Sequence, residues 1–360
     1  MEKTIVYLWQ KGELWRGKRA KSAKKKKLAS KGSLSGKLVH FVMVVVTFVA
    51  ACMLGMSFLG RYMNPENAVL FPALGYWAIY LWIVNLVLFF VWLLKWKVWT
   101  VFPAVSLLIS SQCVSSVVKF GTAEELPCEL KIATMDVGNF DGGDKWSLVN
   151  EILDYTDKNS VNVLCLQRFG SDDSGFVDSV KMMLGSSFKY EYVPDNEGGA
   201  IDLAVFSKHP MARSSMVRQK EASSCALWCD IVKGNDTMRV YNVHLSKGTS
   251  SVPPCDAWHE AAKVRARQAL AISKEVGRSK LPVILCGELG DCPTSFPYGC
   301  LADVLSDGFE ECGTGYAATQ GLLSRTNFIF TGKKEFKGEF YVTENIGENR
   351  SRLVVMGLSR

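Results

Sequence analysis

The stretch Leu281-Pro-Val-Ile-Leu-Cys-Gly-Glu-Leu-Gly-Asp-Cys-Pro-Thr-Ser295 decides the fold of this chain. Its first part, from Pro282 to Cys286, is a short apolar run bounded by Gly287, which is typical of a buried strand. The turn-forming residues that follow, as far as Pro293, predict a loop at the end of that strand. Such loops usually carry the chemistry of α/β folds, so we expect a functional site here.

Strands and helices alternate on both sides of this stretch, from residue 129 to the C-terminus. Several predicted strands are separated by turns rather than by helices, which indicates an α/β domain with mixed sheets and helices outside them. The predicted strands cover residues 130–135, 161–166, 201–207, 226–232, 238–243, 282–286, 327–331 and 353–358. The predicted helices cover residues 146–157 and 257–276.

Charge is distributed very unevenly along the 360 residues. Residues 1–37 hold twelve Lys and Arg against two Glu, a local charge of +10, and residues 38–120 carry only +3. Since the whole chain carries +7, residues 121–360 carry −6. We therefore predict a basic tail (1–37), a membrane anchor (38–120) and a soluble domain (121–360). An acidic domain is poorly suited to a polyanion, so nucleic acid is not an expected partner.

Residues 38–120 predict three transmembrane helices, at about 38–59, 74–94 and 98–118. Each segment is apolar and has roughly the 20 residues that a bilayer crossing needs. The alternative is that the second and third segments are buried core helices, but their joint length and lack of charge argue against it. No charged residue lies in the middle of a span, which indicates an anchor rather than a transport path.

The basic residues predict the orientation of this anchor. The tail has twelve Lys and Arg, the first connection has only Arg61, and the second connection has Lys95 and Lys97. The positive-inside rule then places the N-terminus in the cytoplasm, and three crossings place residues 121–360 in the periplasm of a bacterium. The predicted location is a multi-pass protein of the inner membrane. A re-entrant pair or a missed span would move the domain to the other side.

Nine of the eleven cysteines follow residue 120, and an exported domain could use some of them in disulfides. Cys225 and Cys229 cannot bridge each other along one straight strand, because four residues span about 13 Å. Cys165 and Cys286 lie in apolar runs and are interpreted as small core residues. The cysteine spacing does not match a zinc site well.

Eight further motifs accompany the Gly287–Asp291 loop in a fixed order. They are Met135-Asp-Val137, Val163-Leu-Cys-Leu-Gln-Arg168, Ala204-Val-Phe-Ser-Lys-His-Pro210, Val240-Tyr-Asn-Val-His-Leu245, Arg267-Gln-Ala269, the set Pro293, Ser295 and Tyr298, Arg325-Thr-Asn-Phe-Ile-Phe330, and Asn349-Arg-Ser-Arg-Leu-Val354. Together they resemble the endonuclease/exonuclease/phosphatase superfamily. The resemblance covers about residues 129–358 and implies a DNase-I-like sandwich of two sheets. Pro293, Ser295 and Tyr298 follow the loop as they do in membrane-anchored bacterial members of the superfamily.

The catalytic positions of this superfamily are altered here. The resemblance implies acidic ligands for Mg²⁺, a His–Asp pair, and Asn and His contacts to phosphate. Only His244 is unchanged among the positions we align with that machinery. The altered positions are Arg168 for the metal-binding Glu, Asp136 for Asn, Glu288 and Gly290 for the loop Asp and Asn, Asn327 for Asp, and Arg350-Ser351 for the terminal Asp-His pair.

These changes predict a degenerate active site. The fixed charge of Arg168 repels a metal ion, and Ser351 cannot transfer protons as a histidine does. We weigh two interpretations of the remaining charges. In the favoured one, Asp136 and Glu288 pair with Arg168 and Arg350. In the other, Arg168, His244 and Arg350 form a pocket for a phosphate or carboxylate. A relocated acidic site at Asp291, Asp303 and Asp307 is a minor option.

The sequence therefore predicts a membrane-tethered pseudoenzyme that acts as a binding or scaffold subunit in a bacterial envelope complex. Its expected partners are the bilayer and other membrane or envelope proteins, and no metal or other cofactor is expected. The alternative is an active phosphodiesterase or phosphatase that depends on Mg²⁺ or a similar cation.

Overall fold

The computed structural model describes residues 36–121, 126–171, 173–194, 203–217, 225–246 and 253–360. Nearly all of the predicted basic tail therefore lies outside the described residues, as do residues 201 and 202 of one predicted strand. The described residues form a helical segment, which ends near residue 117, and an α/β domain.

The helices are α1 (Gly36–Arg61), α2 (Leu70–Tyr76), α3 (Ala78–Leu94), α4 (Val101–Ile109), α5 (Ser111–Ser115), α6 (Lys145–Lys158), α7 (Ser174–Ser187), α8 (Asp256–Val276), α9 (Phe296–Ala302) and α10 (Gly308–Cys312). The strands are β1 (Val118–Lys119), β2 (Leu130–Asp136), β3 (Val163–Gln167), β4 (Tyr190–Tyr192), β5 (Leu203–Ser207), β6 (Met211–Met216), β7 (Ala226–Lys233), β8 (Asp236–His244), β9 (Val283–Glu288), β10 (Leu305–Asp307), β11 (Gly315–Tyr316), β12 (Asn327–Gly332), β13 (Lys337–Glu344) and β14 (Leu353–Ser359).

Two six-stranded sheets form the domain. The first has the order β13-β14-β2-β3-β5-β4, and the second has the order β10-β12-β9-β8-β7-β6. Within them β2 is parallel to β3 and β8 is parallel to β9, and the other pairs are antiparallel. The prediction of mixed sheets is confirmed.

Three apolar layers hold this sandwich together. Side chains from both sheets, among them Ile132 and Cys165 on one side and Ile284 and Cys286 on the other, fill the central core. The outer face of the first sheet packs against α6 and α7, and that of the second packs against α8 and α9. Because most strands of both sheets are covered on two faces, their sequences are near-continuous apolar runs.

The predicted domain elements agree with the described ones to within a few residues, residues 201 and 202 aside. Among the elements that the sequence prediction missed are the 14-residue helix α7 and the edge strands β6 and β13. Four of the six residues of β6 are exposed, and both strands lie at sheet edges with few buried side chains. They therefore lack the apolar run that marks the central strands.

The helical segment differs from the prediction of three spans. Only α1 among the described helices is long and apolar enough to cross a membrane alone. The second predicted span bends by 70° between α2 and α3. The third consists of a three-residue 3-10 turn and the nine-residue α4, and α5 follows after Ser110. Three transmembrane helices are thus not confirmed, because α4 is short of the roughly 30 Å of a bilayer core.

The helices α1, α3 and α4 pack through buried polar contacts. The Asn85 side chain of α3 donates to the carbonyl oxygen of Ala50 in α1 at 3.0 Å. Ser106 of α4 donates to the side-chain amide oxygen of Asn85 at 3.3 Å. Trp92 Nε1 donates to Thr47 Oγ1 at 2.8 Å. These contacts place the N-terminal half of α1 beside the C-terminal half of α3, so the two helices are antiparallel.

The helical segment also docks onto the domain. Thr294 Oγ1 donates to the carbonyl oxygen of Gly75 at 2.7 Å, and Trp77 Nε1 donates to that of Pro253 at 3.1 Å. The strand β1 pairs with β11, which continues the chain into the domain. Arg61 at the end of α1 also lies against α9 of the domain, since an added Cβ at Gly299 would clash with the Arg61 carbonyl oxygen.

Candidate functional site

The strand ends bring most of the predicted site residues to one edge of the sandwich. Asp136 at the end of β2 lies in register with Gln167 at the end of β3, and Arg168 follows directly. On the second sheet, Glu288 lies between His244 on one side and Asn327 on the other. The carboxyl ends of β2, β3, β8 and β9 therefore meet where α/β proteins usually place their chemistry.

Arg168 and Asp136 form a two-point ion pair. Arg168 Nε and Nη2 donate to the two carboxylate oxygens of Asp136 at 2.6 and 2.7 Å, and the Gly138 N–H donates to Oδ1 at 3.0 Å. Asp136 is 1% exposed, whereas the Arg168 side chain is 29% exposed. The guanidinium thus shields both oxygens of this carboxylate on their more open side, and this planar two-point geometry is one that only arginine supplies.

Glu288 is held from within its own loop and from the strand beside it. Its carboxylate accepts from the Gly290 N–H at 3.1 Å and from Thr326 Oγ1 at 3.0 Å, and the side chain is 2% exposed. The preceding Gly287 has φ +142°, and an added Cβ there would clash with the Val243 carbonyl oxygen. A glycine is therefore required where this strand passes its neighbour.

A buried amide network lies between the two sheets. Gln167 Nε2 donates to Thr134 Oγ1 at 2.8 Å and to Asn242 Oδ1 at 2.7 Å, while Asn327 Nδ2 donates to Gln167 Oε1 at 3.1 Å. Asn242 Nδ2 in turn donates to two backbone carbonyl oxygens. The network joins the sheets through neutral groups, and Asn327 takes part in it as a hydrogen-bonding residue.

Gln167 and Asn242 were not predicted as site residues, although both stand inside quoted motifs, directly before Arg168 and two residues before His244. A polar amide within an apolar strand was the available signal, because buried amides are normally paired. Their partners come from other strands and could not be read from local sequence.

The other predicted site residues, His244, Arg350 and Ser351, do not take part in this hydrogen-bond network. The His244 N–H donates to the Cys225 carbonyl oxygen at 2.8 Å, and Ser351 is buried in a β-bridge with Gln320. Arg350 is exposed and makes no ion pair with any residue that the structure describes. The backbone near it is tied to the site by Asn349, whose side chain donates to the Asp136 carbonyl oxygen at 2.9 Å.

Of the four charges that we expected to pair with one another, Asp136 and Arg168 do so, whereas Arg350 makes no ion pair with a described residue. The anion pocket of Arg168, His244 and Arg350 stays a prediction. Its first member already has an anionic partner, so a ligand would have to compete with the Asp136 carboxylate for the guanidinium.

Asp291 and Asp307, two of the three aspartates proposed for a relocated acidic site, pair with different arginines, and the third, Asp303, is exposed. Asp291 lies beside Arg265, whose Nε donates to Oδ2 at 3.3 Å. Burial raises the pKa of Asp291, and the Arg265 guanidinium opposes part of that rise. Asp307 instead accepts from Arg325 Nη1 and from the Tyr298 hydroxyl, each at 2.8 Å. Two aspartates that each have their own arginine do not form a shared acidic centre.

The residues of the site do not fit the divalent cation that the fold implies. Mg²⁺ prefers oxygen ligands from carboxylates, carbonyls and water. Here the carboxylate of Asp136 faces a guanidinium, and Glu288 accepts two hydrogen bonds of its own. Across the part of the chain that the structure describes, no three His, Cys, Asp or Glu residues are grouped as metal ligands.

Residues 39–117 match the model of a family described as a domain of unknown function, DUF8431. This range lies within the predicted anchor, and the description assigns no activity to it. No curated protein matches the sequence of this chain.

Solved structures resemble the α/β domain. A humanized D. rerio TDP2 with 14 mutations is 11% identical, with a TM-score of 0.52 over 64% of this chain and 99% of that chain. D. rerio TDP2 complexed with a single strand DNA product is 12% identical, with a TM-score of 0.51 over the same shares. A beta toxin double mutant from Staphylococcus aureus, with bound magnesium ions, is 14% identical, with a TM-score of 0.50 over 64% of this chain and 100% of that chain.

These likenesses confirm the fold that the sequence motifs predicted. The domain is an α/β sandwich of the endonuclease/exonuclease/phosphatase kind, with DNase-I-like topology. At such low identities the likeness extends to the fold alone, and the activity has to be argued from the site.

Proposed function

We propose that this chain is a membrane-anchored pseudoenzyme, a protein of the endonuclease/exonuclease/phosphatase fold that no longer hydrolyses phosphate esters. The observation that carries this proposal is the two-point ion pair between Arg168 and Asp136. It places a fixed cation where the fold would hold a metal-binding glutamate. A positive charge about 4 Å from a divalent ion opposes its binding by several kcal/mol, even at an effective dielectric of roughly 20.

The site also lacks the groups that would move protons. Ser351 stands where the superfamily has its terminal histidine, and a serine hydroxyl has no pKa near neutrality. His244 is retained, and it lies in register with Glu288. One histidine beside one glutamate still leaves the phosphoryl group without the cation that would polarise it. Because the chain has the fold of these hydrolases but lacks their catalytic groups, we propose that it acts as a binding or scaffold subunit in a bacterial envelope complex.

The packing of the helical segment supports the proposed orientation in the inner membrane. α1 and α3 are antiparallel. If α4 and α5 together form a third crossing, the chain crosses the membrane three times, in alternating directions. The connection with Lys95 and Lys97 then lies at the end where α1 begins, and the domain lies at the opposite end. By the positive-inside rule the basic end is cytoplasmic and the domain is periplasmic.

Exposed apolar side chains support the membrane assignment. Phe41 and Phe48 of α1 are 64% and 50% exposed, and Val87 and Phe90 of α3 are 57% and 51% exposed. Large apolar surfaces of this kind are rare on proteins in water and are expected where helices face lipid.

The first test is divalent-metal binding and phosphoester hydrolysis by the full-length chain in detergent. We expect no calorimetric signal with Mg²⁺ or Mn²⁺, no metal-induced rise of the melting temperature, and no turnover of phosphodiester or phosphomonoester substrates. The matched variant is Arg168→Glu, which restores the family carboxylate beside Asp136. We expect it to gain weak metal binding, because the repelling cation is replaced by a ligand.

The opposite result would be turnover by the wild-type chain that is lost in both Glu288→Ala and His244→Ala. That outcome would overturn the pseudoenzyme proposal and establish the alternative, an active metal-dependent phosphodiesterase or phosphatase. Turnover that survives both substitutions would point to a contaminating hydrolase and would leave the prediction of inactivity standing.

A further inference from the structure

A cavity of about 170 Å³ lies where the helical segment meets the domain. Its walls come from the start of α3, from α5, and from two loops of the domain, residues 290–294 and 320–324. Neither Asp136, Arg168 nor His244 lines it. Gly290 of the strand-end loop does line it, so the cavity adjoins the degenerate strand-end site. Ligand binding in the cavity does not depend on whether that site has lost hydrolysis.

Three of the hydroxyl groups in these walls are polarised in one sense, and Tyr76, Tyr80 and Ser324 bring further hydroxyl groups. Ser116 Oγ donates to the Cys113 carbonyl oxygen at 3.1 Å, Thr294 Oγ1 donates to that of Gly75 at 2.7 Å, and Thr326 Oγ1 donates to Glu288 at 3.0 Å. Each of these three hydroxyl hydrogens is committed inside the protein. Toward the cavity these oxygens can act only as acceptors, and a ligand must bring its own O–H or N–H groups.

The walls also contain hydrogen-bond donors and one carboxylate that is paired with an arginine. Gln320 and Ser324 line the cavity, and neither side chain donates a hydrogen bond to another residue that the structure describes. Asp291 is the one carboxylate among the lining residues, and Arg265 neutralises it from behind. No lysine, arginine or histidine is among the lining residues. A phosphate or carboxylate would therefore lose its hydration without meeting a cation, which is costly.

The size of the cavity limits the ligand further. A cavity of about 150 Å³ accepts one benzene molecule. A volume of about 170 Å³ thus holds one six-membered ring with a few small substituents. Ile79, Tyr80 and Leu323 provide apolar and aromatic surface beside the polar groups. A ring with hydroxyl groups at its edge and C–H groups on its faces suits such walls.

We propose that this cavity binds a neutral polyhydroxylated ring, the sugar or polyol portion of a molecule presented at the membrane surface or free in the periplasm. The ligand hydroxyls donate to Ser116, Thr294 and Thr326 and accept from Gln320 and Ser324. Because the first turn of the proposed membrane helix α3 forms one wall, the head group of a glycolipid reaches the cavity from the outer leaflet. A soluble sugar reaches it from the aqueous side.

The experiment uses the full-length chain in lipid nanodiscs and native mass spectrometry. Four additions are compared: monoglucosyl diacylglycerol, diacylglycerol, phosphatidylglycerol and free methyl glucoside. We expect the glucosyl lipid to bind at least tenfold more tightly than diacylglycerol and phosphatidylglycerol. Binding of methyl glucoside with equal affinity would assign the ligand to the soluble source, and binding of the glucosyl lipid alone would assign it to the membrane.

Three cavity variants and one control separate binding from folding. Ser324→Phe fills the cavity and Gln320→Leu removes a donor at similar size, and each is expected to weaken glucosyl lipid binding about tenfold or more. Ser324→Ala removes only the Ser324 donor and should weaken binding less than Ser324→Phe does. The control Ser215→Phe adds the same bulk on an exposed edge strand and should bind within about twofold of the wild type. Melting temperatures show whether each variant is folded.

Three results would overturn the proposal. These are equal retention of phosphatidylglycerol and the glucosyl lipid, no retention of either glucoside, and unchanged binding by both Ser324→Phe and Gln320→Leu. If Ser324→Phe fails to fold, Gln320→Leu decides the question by itself.

Discussion

Two arginine–aspartate pairs occupy different environments in this protein. Arg168 pairs with Asp136 at the open end of the sandwich, and its side chain is 29% exposed. Arg325 pairs with Asp307 at 0% and 1% exposure, and it also donates to the Ser116 carbonyl oxygen of the helical segment at 3.1 Å. The first pair stands where chemistry would be expected, and the second stands where two parts of the chain are joined.

The surroundings of Arg325 show why it can be fully buried. The rings of Phe309, Phe328 and Tyr341 lie within 5.4 Å of its guanidinium carbon. Burial by itself would lower the pKa of Arg325, but Asp307, Tyr341 and Tyr298 together outweigh it and the pKa is raised. Arg168 has water on one side instead. Arg325 thus joins the domain to the helical segment, whereas Arg168 pairs with Asp136 at the strand-end site.

The largest expected effect is that of Arg325→Met. It leaves the Asp307 carboxylate buried without its cation and removes the bond to Ser116, so the free energy of unfolding should fall by about 3–5 kcal/mol. Denaturant unfolding of the full-length chain in detergent measures it. The double variant with Asp307→Leu should recover most of the loss, since no charge is then buried alone. A loss below that of Arg168→Met would reverse the comparison of the two pairs.

The next effect tests the junction by itself. An added Cβ at Gly299 in α9 would clash with the Arg61 carbonyl oxygen, whereas one at Gly185 in α7 would have no neighbour within 4 Å. We expect Gly299→Ala to destabilise the protein by about 1–3 kcal/mol through overpacking. The matched Gly185→Ala should be neutral or stabilising by about 0.5–1 kcal/mol, since both glycines are helical. Melting temperatures of both variants measure this, and equal shifts would show that the junction is not tightly packed.

The smallest effect is that of Arg168→Met. Asp136 keeps the hydrogen bond from Gly138, and water can reach the vacated space, so the expected loss is about 1–2 kcal/mol. The same unfolding measurement applies, with Arg168→Lys as the control that keeps the charge and loses the two-point geometry. An effect as large as that of Arg325→Met would mean that the strand-end pair is a principal support of the fold.

Much of the domain could be predicted from the sequence because the central strands are buried on both faces. Their apolar runs, and the motif order along residues 129–358, indicated the sandwich before any contact was known. The edge strands β6 and β13 were not predicted, because their side chains are largely exposed and an exposed strand needs no apolar pattern. The third span was predicted from hydropathy, which does not register the break at Ser110, where a serine hydroxyl donates to the Ser106 carbonyl oxygen.

The sequence by itself determined the fold class, the loop of Gly287 to Asp291, and the presence of arginine at position 168 where the superfamily has a metal ligand. These depend on local pattern and on residue type. Three features depend on the folded chain: Arg168 pairs with Asp136, Arg350 makes no ion pair with a described residue, and Arg325 joins the helical segment to the domain. The reason is that each of these contacts joins residues distant along the chain, and burial and geometry choose among partners that composition leaves equivalent.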